Sequence, residues 1–527
     1  MVTAPPGMTQ SLQAALEAPV TARRSWQQDV APAYILVFLL FAYYDELGKQ
    51  TLSIGGLGWS LLGAVVGGLL CYILLYLAPA MWGLKSRQPF AVVATSTFGA
   101  AGSPWVPGLV LGAAHVVWFA VAIWYAAKLG LGGLVAGGLL EQGYLDHTLS
   151  LGGFKLESPL FLFVTLFWSL SSALIGVWLV RLVAALMRAY AAFPALMLGA
   201  AMLWALPGLS GYRPIGIDPV TAEPVKHGAL QAFLMMIQLV FGFFATSGAG
   251  AADWGSYTRD ARDVRLGGLV GVALAAPIMA AIALLTVAGA LGRSPAAPAL
   301  DSALAAQNRL QQAYQHRAKD QQLNEARAEV RAIGAVNFTL REVVEHGIGR
   351  TPASGMLLIF GLALLGPCCY APFVFGHKFV AVWPRMPRWG WSLLGAVAAW
   401  PLIATGAPAR AERIFGLLGA ALAPVVGAMA ADYLRCHGAW PGPRRGVNLA
   451  GLIAWATGFA VGLIPFVGDQ TGLRALRQFQ PASVCAFAVG FLVYALLAQL
   501  GLEPRALPAP AAPSAEVAPD SSLPSQY

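Results

Sequence analysis

The sequence predicts an all-α protein that crosses a membrane about twelve times. Of its 527 residues, 58% are apolar and only 11% are charged, and its mean hydropathy is +0.65. Soluble domains carry about a quarter charged residues. Uncharged stretches long enough to cross a bilayer recur along the whole chain. We place the spans at residues 31–54, 57–80, 105–127, 159–180, 190–206, 229–250, 266–291, 354–376, 389–406, 412–431, 447–467 and 482–501.

Four segments outside these spans complete the predicted organisation. Residues 1–29 lack the apolar core of a signal peptide, so we expect a cytoplasmic tail ahead of a transmembrane domain at 30–502. The connection 130–157 should include a short interfacial piece. Residues 292–352 are polar and rich in Gln, Ala, Arg and Glu, which predicts a helical insertion outside the membrane. Residues 503–527 are rich in Pro, Ala and Ser and should be disordered.

The distribution of Lys and Arg predicts that both termini are cytoplasmic. When the long loop 293–350 is left out, the predicted inner segments hold more Lys and Arg than the outer ones. The protein should therefore be integral to the plasma membrane, which is the inner membrane of a bacterium. The net charge of +9 fits this rule and an attraction to anionic lipid. Basic residues are not interleaved with aromatic ones, so the sequence gives no sign of nucleic-acid binding.

The sequence contains no motif of an enzyme or of a metal site. HExxH, GxSxG and clusters with metal-ligand spacing are absent from the chain. The five cysteines lie in or beside predicted spans, where small buried apolar side chains are common. We expect neither enzymatic activity nor a cofactor.

The segment 240–262, VFGFFATSGAGAADWGSYTRDAR, is the most informative part of the chain. An apolar span passes into a run of small residues and ends near Asp253. Such a break releases backbone polar groups, which are tolerated at membrane depth only where they line a cavity. Broken helices near the midplane form the substrate sites of many secondary transporters. The sequence therefore predicts a helix interruption within the small residues 245–250, which include Thr246 and Ser247.

Three segments together resemble the nucleobase–cation symporter family, especially the bacterial cytosine permeases. Residues 98–125, FGAAGSPWVPGLVLGAAHVVWFAVAIWY, are similar to the third helix of that family with its preceding FG..GS element. The stretch ADWGSYTRDAR at 252–262 resembles the signature after the sixth helix, although the arginine comes later, at Arg259. Residues 415–435 resemble the tenth helix. The resemblance runs in the same order through residues 25–500.

The resemblance implies two inverted five-helix repeats with two additional helices, and discontinuous first and sixth helices. It also implies cation-coupled uptake of a nucleobase, such as cytosine or a purine, or of a related small heterocycle. Two alternatives stay open: a transporter-like membrane sensor, and an amino-acid carrier of the same fold. The expected partners are a small-molecule substrate and the lipid bilayer, and the protein should be a monomer or a weak oligomer.

Two aromatic residues are the first candidates for contact with a flat substrate. Trp118 matches the tryptophan that stacks on the ligand in the family, and Phe244 matches the aromatic residue on its other side. A planar heterocycle offers a π-face and a polar edge, so two stacked rings suit it. Phe243 competes with Phe244 for this role. Trp118 could instead pack against other side chains or lipid.

Polar candidates lie nearby on three predicted helices. The hydroxyls of Thr246 and Ser247 could meet the polar edge of the ligand, or bond back to their own helix. His115 lies three residues before Trp118 on the same helix face, and it could read a nucleobase edge or be structural. The eighth helix offers Cys369 and Tyr370 where relatives carry an asparagine.

Asp45 and Glu46 are candidates for coupling transport to a cation. They lie within the first predicted span, and intramembrane carboxylates are expensive enough to suggest a function. Two adjacent carboxylates repel each other, so one should hold a proton readily. The alternative is pairing with Lys49. Relatives bind sodium through hydroxyls of the eighth helix, but this chain has no Ser or Thr there after Ser354. The sequence therefore favours proton over sodium coupling.

Three charged residues are candidates for an inner gate. Asp253, Arg259 and Asp432 fall at the predicted cytoplasmic ends of helices, where ion pairs could hold the gate closed. The alternative is that they are ordinary solvated charges at helix ends.

Overall fold

The structure is a computed structural model that describes residues 10–38, 51–179, 192–212, 227–293 and 347–507, together with short pieces between 214 and 224 and between 309 and 345. The described chain is mostly helical. A helix satisfies its own backbone hydrogen bonds, which is what a chain in hydrocarbon requires.

Helices account for all of the long elements. Two precede the first long span: α1 (Gln10–Glu17) and α2 (Val30–Phe38). They are followed by α3 (Leu57–Ser86), α4 (Pro104–Ala136), α5 (Pro159–Trp178), α6 (Pro194–Gly211), α7 (Gly228–Ala249), α8 (Ala251–Tyr257), α9 (Ala261–Ala290), α10 (Arg350–Val382), α11 (Arg388–Ala404), α12 (Ala411–Arg435), α13 (Leu449–Gly462), α14 (Ile464–Thr471) and α15 (Ala482–Gln499).

Among the described residues, nine helices are long and apolar enough to cross a membrane. The pair α13 and α14, bent by 40°, would make ten. Helix α11 has 17 residues, one fewer than the shortest of these nine spans. The first predicted span begins as α2 and continues into residues 39–50, which lie outside the described part. The prediction of a polytopic all-α protein is confirmed, and the count of twelve stays a prediction.

The connections contain two short antiparallel strand pairs. The predicted interfacial piece between the third and fourth spans is a hairpin, in which β1 (Leu149–Leu151) pairs antiparallel with β2 (Phe154–Leu156). A second two-residue pair, β3 (Ile217–Asp218) with β4 (Glu223–Pro224), precedes α7. The predicted insertion 292–352 lies mostly outside the described residues.

The first residues of the predicted disordered tail are ordered. The amide of Arg445 donates to the carbonyl of Arg505 at 3.1 Å, and the amide of Leu507 donates to the carbonyl of Pro443 at 2.7 Å. The chain after α15 thus pairs with the loop before α13. The expectation of disorder from residue 503 is wrong for 503–507, because this backbone finds hydrogen-bond partners in the loop.

Helices α7 and α12 meet in the middle of the protein through small residues. A Cβ added at Gly242 of α7 would clash with the carbonyl oxygen of Phe415 on α12. A side chain at Gly427 would likewise meet the backbone of Phe487 on α15. Small residues allow such close helix packing where lipid provides no hydrophobic driving force. Only glycine therefore permits this arrangement, which brings Phe415 next to α7.

Candidate functional site

Trp118 lies at the junction of α4, α7 and α12. Its indole Nε1 donates a hydrogen bond to Thr246 Oγ1 at 2.9 Å. Its ring stacks on Phe415, with centroids 5.6 Å apart and an interplanar angle of 29°. Phe243 closes the cluster edge-on, 5.2 Å from the Trp118 ring and 5.1 Å from the Phe415 ring. Two residues that the sequence named separately, Trp118 and Thr246, are thus in direct contact.

Helix periodicity explains why Phe243 and Thr246 both reach Trp118. Residues three apart on a helix share a face, whereas adjacent residues point about 100° apart. Phe244 therefore points elsewhere: its buried ring lies 5.3 Å from that of Tyr34 on α2. The hydroxyl of Tyr34 donates to the carbonyl of Ser247 at 3.3 Å. The ring that contacts Trp118 is thus that of Phe243, and the role of Phe244 beside a ligand stays a prediction.

Helix α7 continues past the predicted interruption. Thr246 and Ser247 both lie in helical turns, and α7 ends at Ala249. The break falls at Gly250, after which α8 begins at Ala251. The break therefore lies within the predicted small residues 245–250 but after Thr246 and Ser247, because a run of small residues does not show which of them ends the helix. Thr246 offers its side-chain hydroxyl to the site while its backbone stays helical.

His115 and Tyr370 extend the site by one helical turn along α4. The Nδ1 atom of His115 lies 2.8 Å from the carbonyl oxygen of Leu111, so it carries the proton and donates. In the neutral ring this leaves Nε2 as an acceptor. The rings of His115 and Tyr370 are 6.5 Å apart, and 42% of Tyr370 is accessible. Both side chains can therefore present polar atoms to a ligand.

Cys369 lies on a different face of α10 from Tyr370. It is fully buried, and its backbone carbonyl approaches Gly176 of α5 so closely that a Cβ there would clash. Cys369 thus sits in the contact between α10 and α5. The sequence named both because they lie where relatives carry an asparagine, but adjacent helical residues point in different directions.

Asp253, in the first turn of α8, forms a hydrogen bond with the segment between α3 and α4. Its Oδ1 accepts a hydrogen bond from the amide of Phe90 at 2.7 Å. The ammonium of Lys378, on α10, lies 5.5 Å from the centroid of the Phe90 ring. Phe90 thus contacts the carboxylate of Asp253 through its backbone amide and the ammonium of Lys378 through its ring. This connects α8 and α10 through one residue, and the role of Asp253 as a gate residue stays a prediction.

Arg259 pairs locally. Its Nε lies 2.6 Å from Asp263 Oδ2, four residues further along, and 55% of the Arg259 side chain is accessible. Only 4% of the Asp263 side chain is accessible, so the pair joins an exposed guanidinium to a buried carboxylate. The carbonyl of Arg259 also accepts from the guanidinium of Arg87 at 3.0 Å. The side chain of Arg259 therefore interacts with the first turn of α9 rather than with Asp432.

Asp432 is fully buried at the end of α12. Two guanidinium nitrogens of Arg444 donate hydrogen bonds to its two carboxylate oxygens, at 2.9 Å and 3.0 Å. The hydroxyls of Ser96 and Thr97 donate to the same carboxylate at 2.8 Å and 3.0 Å. The alternative reading of Asp432 as a solvated helix-end charge is therefore wrong. Its place as a gate residue stays a prediction, with Arg444 rather than Arg259 as its partner.

The buried pair continues into the end of the chain. Arg444 also donates to the hydroxyl of Tyr494 at 2.9 Å and contacts Glu503 at 3.2 Å, and the Tyr494 hydroxyl donates to Glu503 at 2.7 Å. Burial alone would lower the pKa of the Arg444 guanidinium, but attraction to Asp432 outweighs it and the pKa is raised. We call Asp432, Arg444, Tyr494 and Glu503 the anchor cluster.

The sequence did not identify Arg444 and Glu503. A buried carboxylate requires a cation, so Asp432 called for a partner. Several arginines follow it, among them Arg435, Arg444 and Arg445, and no sequence pattern distinguishes them. Gly99, in the segment after Ser96 and Thr97, has a φ of +83° and faces the carbonyl of Gly446 without room for a Cβ. This glycine lets the loop carrying Arg444 approach.

The predicted coupling residues, Asp45 and Glu46, lie outside the described residues. In the described part of the chain, no three or more His, Cys, Asp or Glu side chains are grouped so as to hold a metal ion.

Comparisons with known proteins agree on the class of the molecule. Residues 48–311, half of the chain, match the family described as permeases for cytosine/purines, uracil, thiamine and allantoin. The chain is similar to Mhp1, a nucleobase-cation-symport-1 family transporter, in a closed conformation with bromovinylhydantoin bound. That similarity has a TM-score of 0.56 at 14% identity and covers 92% of this chain and 96% of Mhp1.

The inward-facing conformation of Mhp1 gives the same TM-score and identity, with 95% of this chain and 94% of Mhp1 covered. At such low identity these two structures show the fold alone, which is the inverted-repeat transporter fold that the resemblance implied. No curated protein matches the chain in sequence. The family match covers the segment from before α3 to beyond α9, and it includes Trp118, Phe243 and Thr246. The chain therefore belongs to the family of permeases for cytosine and purines, uracil, thiamine and allantoin.

Proposed function

We propose that the protein imports a nucleobase or a related small, flat heterocycle by proton symport. The observation that carries this proposal is the cluster of Trp118, Phe243 and Phe415 around the Thr246 hydroxyl. Flat aromatic faces beside a hydroxyl match a ligand with a π-face and a polar edge. The family membership and the fold support transport of such a ligand across a membrane.

The polar atoms around Trp118 suit a heterocycle that both donates and accepts hydrogen bonds. Thr246 can accept from or donate to the ligand once the indole of Trp118 releases it. His115 Nε2 can accept from a ring N–H, and Tyr370 can donate from its phenol. On binding, hydrogen bonds to the ligand would replace the hydrogen bond between Trp118 and Thr246. The number of hydrogen bonds in the site would therefore change little.

Proton coupling is favoured over sodium coupling by the composition of α10. A hard cation such as sodium prefers oxygen ligands. Between residues 355 and 382 the chain carries no Ser, Thr or Asn. We infer from the distribution of Lys and Arg that both termini are cytoplasmic and that the protein lies in the plasma membrane of a bacterium.

Substrate identity can be tested by thermal unfolding of the purified protein. Nucleobases, hydantoins, vitamins and amino acids would be added in turn, with and without sodium. A ligand that binds the native state raises the unfolding midpoint by mass action. We expect a nucleobase or a related heterocycle to give the largest shift, and sodium to add nothing. Stabilisation by amino acids alone would favour a carrier of a different substrate class.

Uptake into proteoliposomes then separates transport from sensing. We expect the stabilising compound to accumulate unchanged inside vesicles when a pH gradient is imposed. Binding without accumulation under any cation gradient would instead support a membrane sensor, and chemical conversion of the compound would support an enzyme.

Alanine substitution of Trp118 or Phe243 should weaken substrate binding by roughly 1–3 kcal/mol, by analogy with base–aromatic stacking. Each removes a ring face from the site, so the dissociation constant should rise by roughly 5- to 150-fold. Binding would be measured by titration of the purified variants. Trp118→Phe keeps a ring and should lose less than Trp118→Ala.

Phe244→Ala is the matched control for Phe243→Ala. It removes the same side chain one position along α7, from the face that contacts Tyr34. We expect it to lower stability while changing the dissociation constant by less than Phe243→Ala does. A larger loss of affinity in Phe244→Ala than in Phe243→Ala would indicate that the ligand contacts Phe244. Full affinity in both the Trp118→Ala and Phe243→Ala variants would exclude the aromatic site.

A further inference from the structure

Four tryptophans are left at the surface where α4 begins and where α10 joins α11. We call Trp105, Trp383, Trp389 and Trp391 the tryptophan patch. The rings of Trp105 and Trp383 meet edge-on at 5.6 Å, and those of Trp383 and Trp391 stack at 5.4 Å. Trp105 and Trp389 are each about half accessible, at 51% and 49%. Trp105, Trp383 and Trp391 are thus in contact, with Trp389 two residues before Trp391 on α11.

Its position along the helices places the patch at the edge of the hydrocarbon. Trp383 directly follows the end of α10, Trp389 lies in the first turn of α11, and Trp105 lies in the first turn of α4. Ends of spans lie at the level of the lipid headgroups, where the amphipathic ring of tryptophan is most stable. The indole Nε1 of Trp391 already donates to the carbonyl of Trp383, at 3.1 Å. The exposed faces of these rings are therefore available to contact lipid.

The same short connection is positively charged. Arg385 and Arg388 lie between α10 and the body of α11, and the chain has no acidic residue between 373 and 391. Arg388 donates to His377 Nε2 at 2.9 Å, and its guanidinium lies 5.6 Å from the centroid of Phe373. Within the described part of the chain, neither arginine forms an ion pair with a carboxylate. Two uncompensated guanidinium groups thus stand beside an apolar aromatic surface.

We propose that this surface binds an anionic phospholipid, whose phosphate pairs with Arg385 and Arg388 while its acyl chains cover Trp105 and Trp383. Guanidinium groups recognise phosphate oxygens through paired hydrogen bonds, and basic sites between membrane helices are known to hold acidic headgroups. A soluble protein partner fits less well, because the aromatic faces lie at membrane depth. The inference depends only on the spanning helices and not on the transported substrate.

The test uses the purified full chain in a neutral detergent, with added phosphatidylglycerol or phosphatidylcholine of identical acyl chains. The unfolding midpoint is recorded against lipid concentration. We expect phosphatidylglycerol to stabilise at lower concentration and to a greater extent than phosphatidylcholine. Inorganic phosphate at equal concentration should not reproduce this shift, because it has no acyl chains to cover the tryptophans.

In the double variant Arg385→Gln/Arg388→Gln, half of the stabilisation by phosphatidylglycerol should require a roughly 30-fold higher lipid concentration. This factor corresponds to about 1 kcal/mol of binding free energy for each basic group near a membrane surface. Arg262→Gln/Arg265→Gln is the matched control, because it removes two exposed arginines from α9 and changes the net charge equally. The control should keep the lipid response of the unmodified protein. Arg385→Gln alone provides the same comparison if the double variant is unstable without lipid.

Four results would overturn the proposal. The first is an equal response to phosphatidylglycerol and phosphatidylcholine in the unmodified protein. The second is an unchanged phosphatidylglycerol response in the Arg385→Gln variants. The third is an equal loss of response in the Arg262→Gln/Arg265→Gln control, which would reduce the effect to net charge. A full shift with inorganic phosphate alone would point to a free anion and would also contradict lipid binding.

Discussion

Replacement of Arg444 by methionine should lower the free energy of unfolding by about 3–5 kcal/mol, because it leaves the Asp432 carboxylate buried without its cation. Asp432 is fully buried, and Arg444 contacts it through two nitrogens at 2.9 Å and 3.0 Å. The hydroxyls of Ser96 and Thr97 would remain as donors, but they carry no charge. Thermal unfolding of the purified protein in detergent, followed by tryptophan fluorescence, would measure the loss.

Arg445→Met is the matched control for this prediction. It makes the same substitution at the next residue, whose side chain is exposed. Its unfolding midpoint should stay close to that of the unmodified protein, since an exposed charge contributes little. Equal midpoints for the Arg444→Met and Arg445→Met variants would show that the anchor cluster does not hold the fold together.

A second variant distinguishes an unpaired buried charge from a general loss of packing. Asp432→Leu combined with Arg444→Met removes both charges at once. Replacing a buried ion pair by apolar residues is often neutral, whereas removing one partner is costly. The double variant should therefore be more stable than Arg444→Met alone, and this non-additivity is what contact between the two residues requires. If the two losses simply add, the pair does not act as a unit.

The helices could be predicted from sequence because apolar runs in a bilayer have few alternatives. Helix α7 was expected at 229–250 and spans Gly228–Ala249, and α12 was expected at 412–431 and spans Ala411–Arg435. Helix α4 was expected to end at 127, just before Lys128, yet it runs to Ala136. The ammonium of Lys128 lies 4.7 Å from the Trp124 ring, and such a cation–π contact lets a charged residue remain within the helix.

The candidate site could be predicted only in part, because its details depend on helix rotation. The sequence singled out Trp118 and Thr246, and the structure joins them by a hydrogen bond. It could not decide between Phe243 and Phe244, which are adjacent and differ only in the direction they face. Arg444 could not be matched to Asp432, because their contact follows from a loop whose path is set by long-range packing.

The second prediction with a large expected effect concerns energy coupling through Asp45 and Glu46. These residues lie outside the described part of the chain, and the prediction rests on their place in an apolar segment. The helix that leads into that segment is described: Tyr34 of α2 contacts Phe244 and donates to the carbonyl of Ser247. The segment carrying the two acids therefore follows directly on a helix that contacts α7.

We expect uptake to be driven by a proton gradient and to depend on this acid pair. Two adjacent carboxylates in a medium of low polarity cannot both ionise without strong repulsion, so one of them should take up a proton from the outer side. The protonated state would favour ligand binding and closure, and deprotonation inside would follow release. With one proton per substrate, a gradient of one pH unit supports about tenfold accumulation.

Asp45→Asn/Glu46→Gln should abolish this accumulation while leaving exchange of labelled for unlabelled substrate across the vesicle membrane. Both processes would be measured in proteoliposomes, with imposed pH or sodium gradients. Glu141→Gln/Asp146→Asn is the matched control, since it neutralises two exposed acids in the connection between α4 and α5. The control should accumulate substrate as the unmodified protein does.

Exchange without accumulation is the outcome that separates coupling from binding. A variant that has lost its substrate site fails in both assays, whereas a variant that has lost only its coupling group still lets the loaded carrier move in both directions. Uptake driven by a sodium gradient at equal pH on both sides would contradict proton coupling. It would require oxygen ligands from elsewhere, since α10 carries no Ser, Thr, Asn or Gln after Ser354. Unchanged pH-driven accumulation in the Asp45→Asn/Glu46→Gln variant would instead leave proton coupling in place and move the proton to another group.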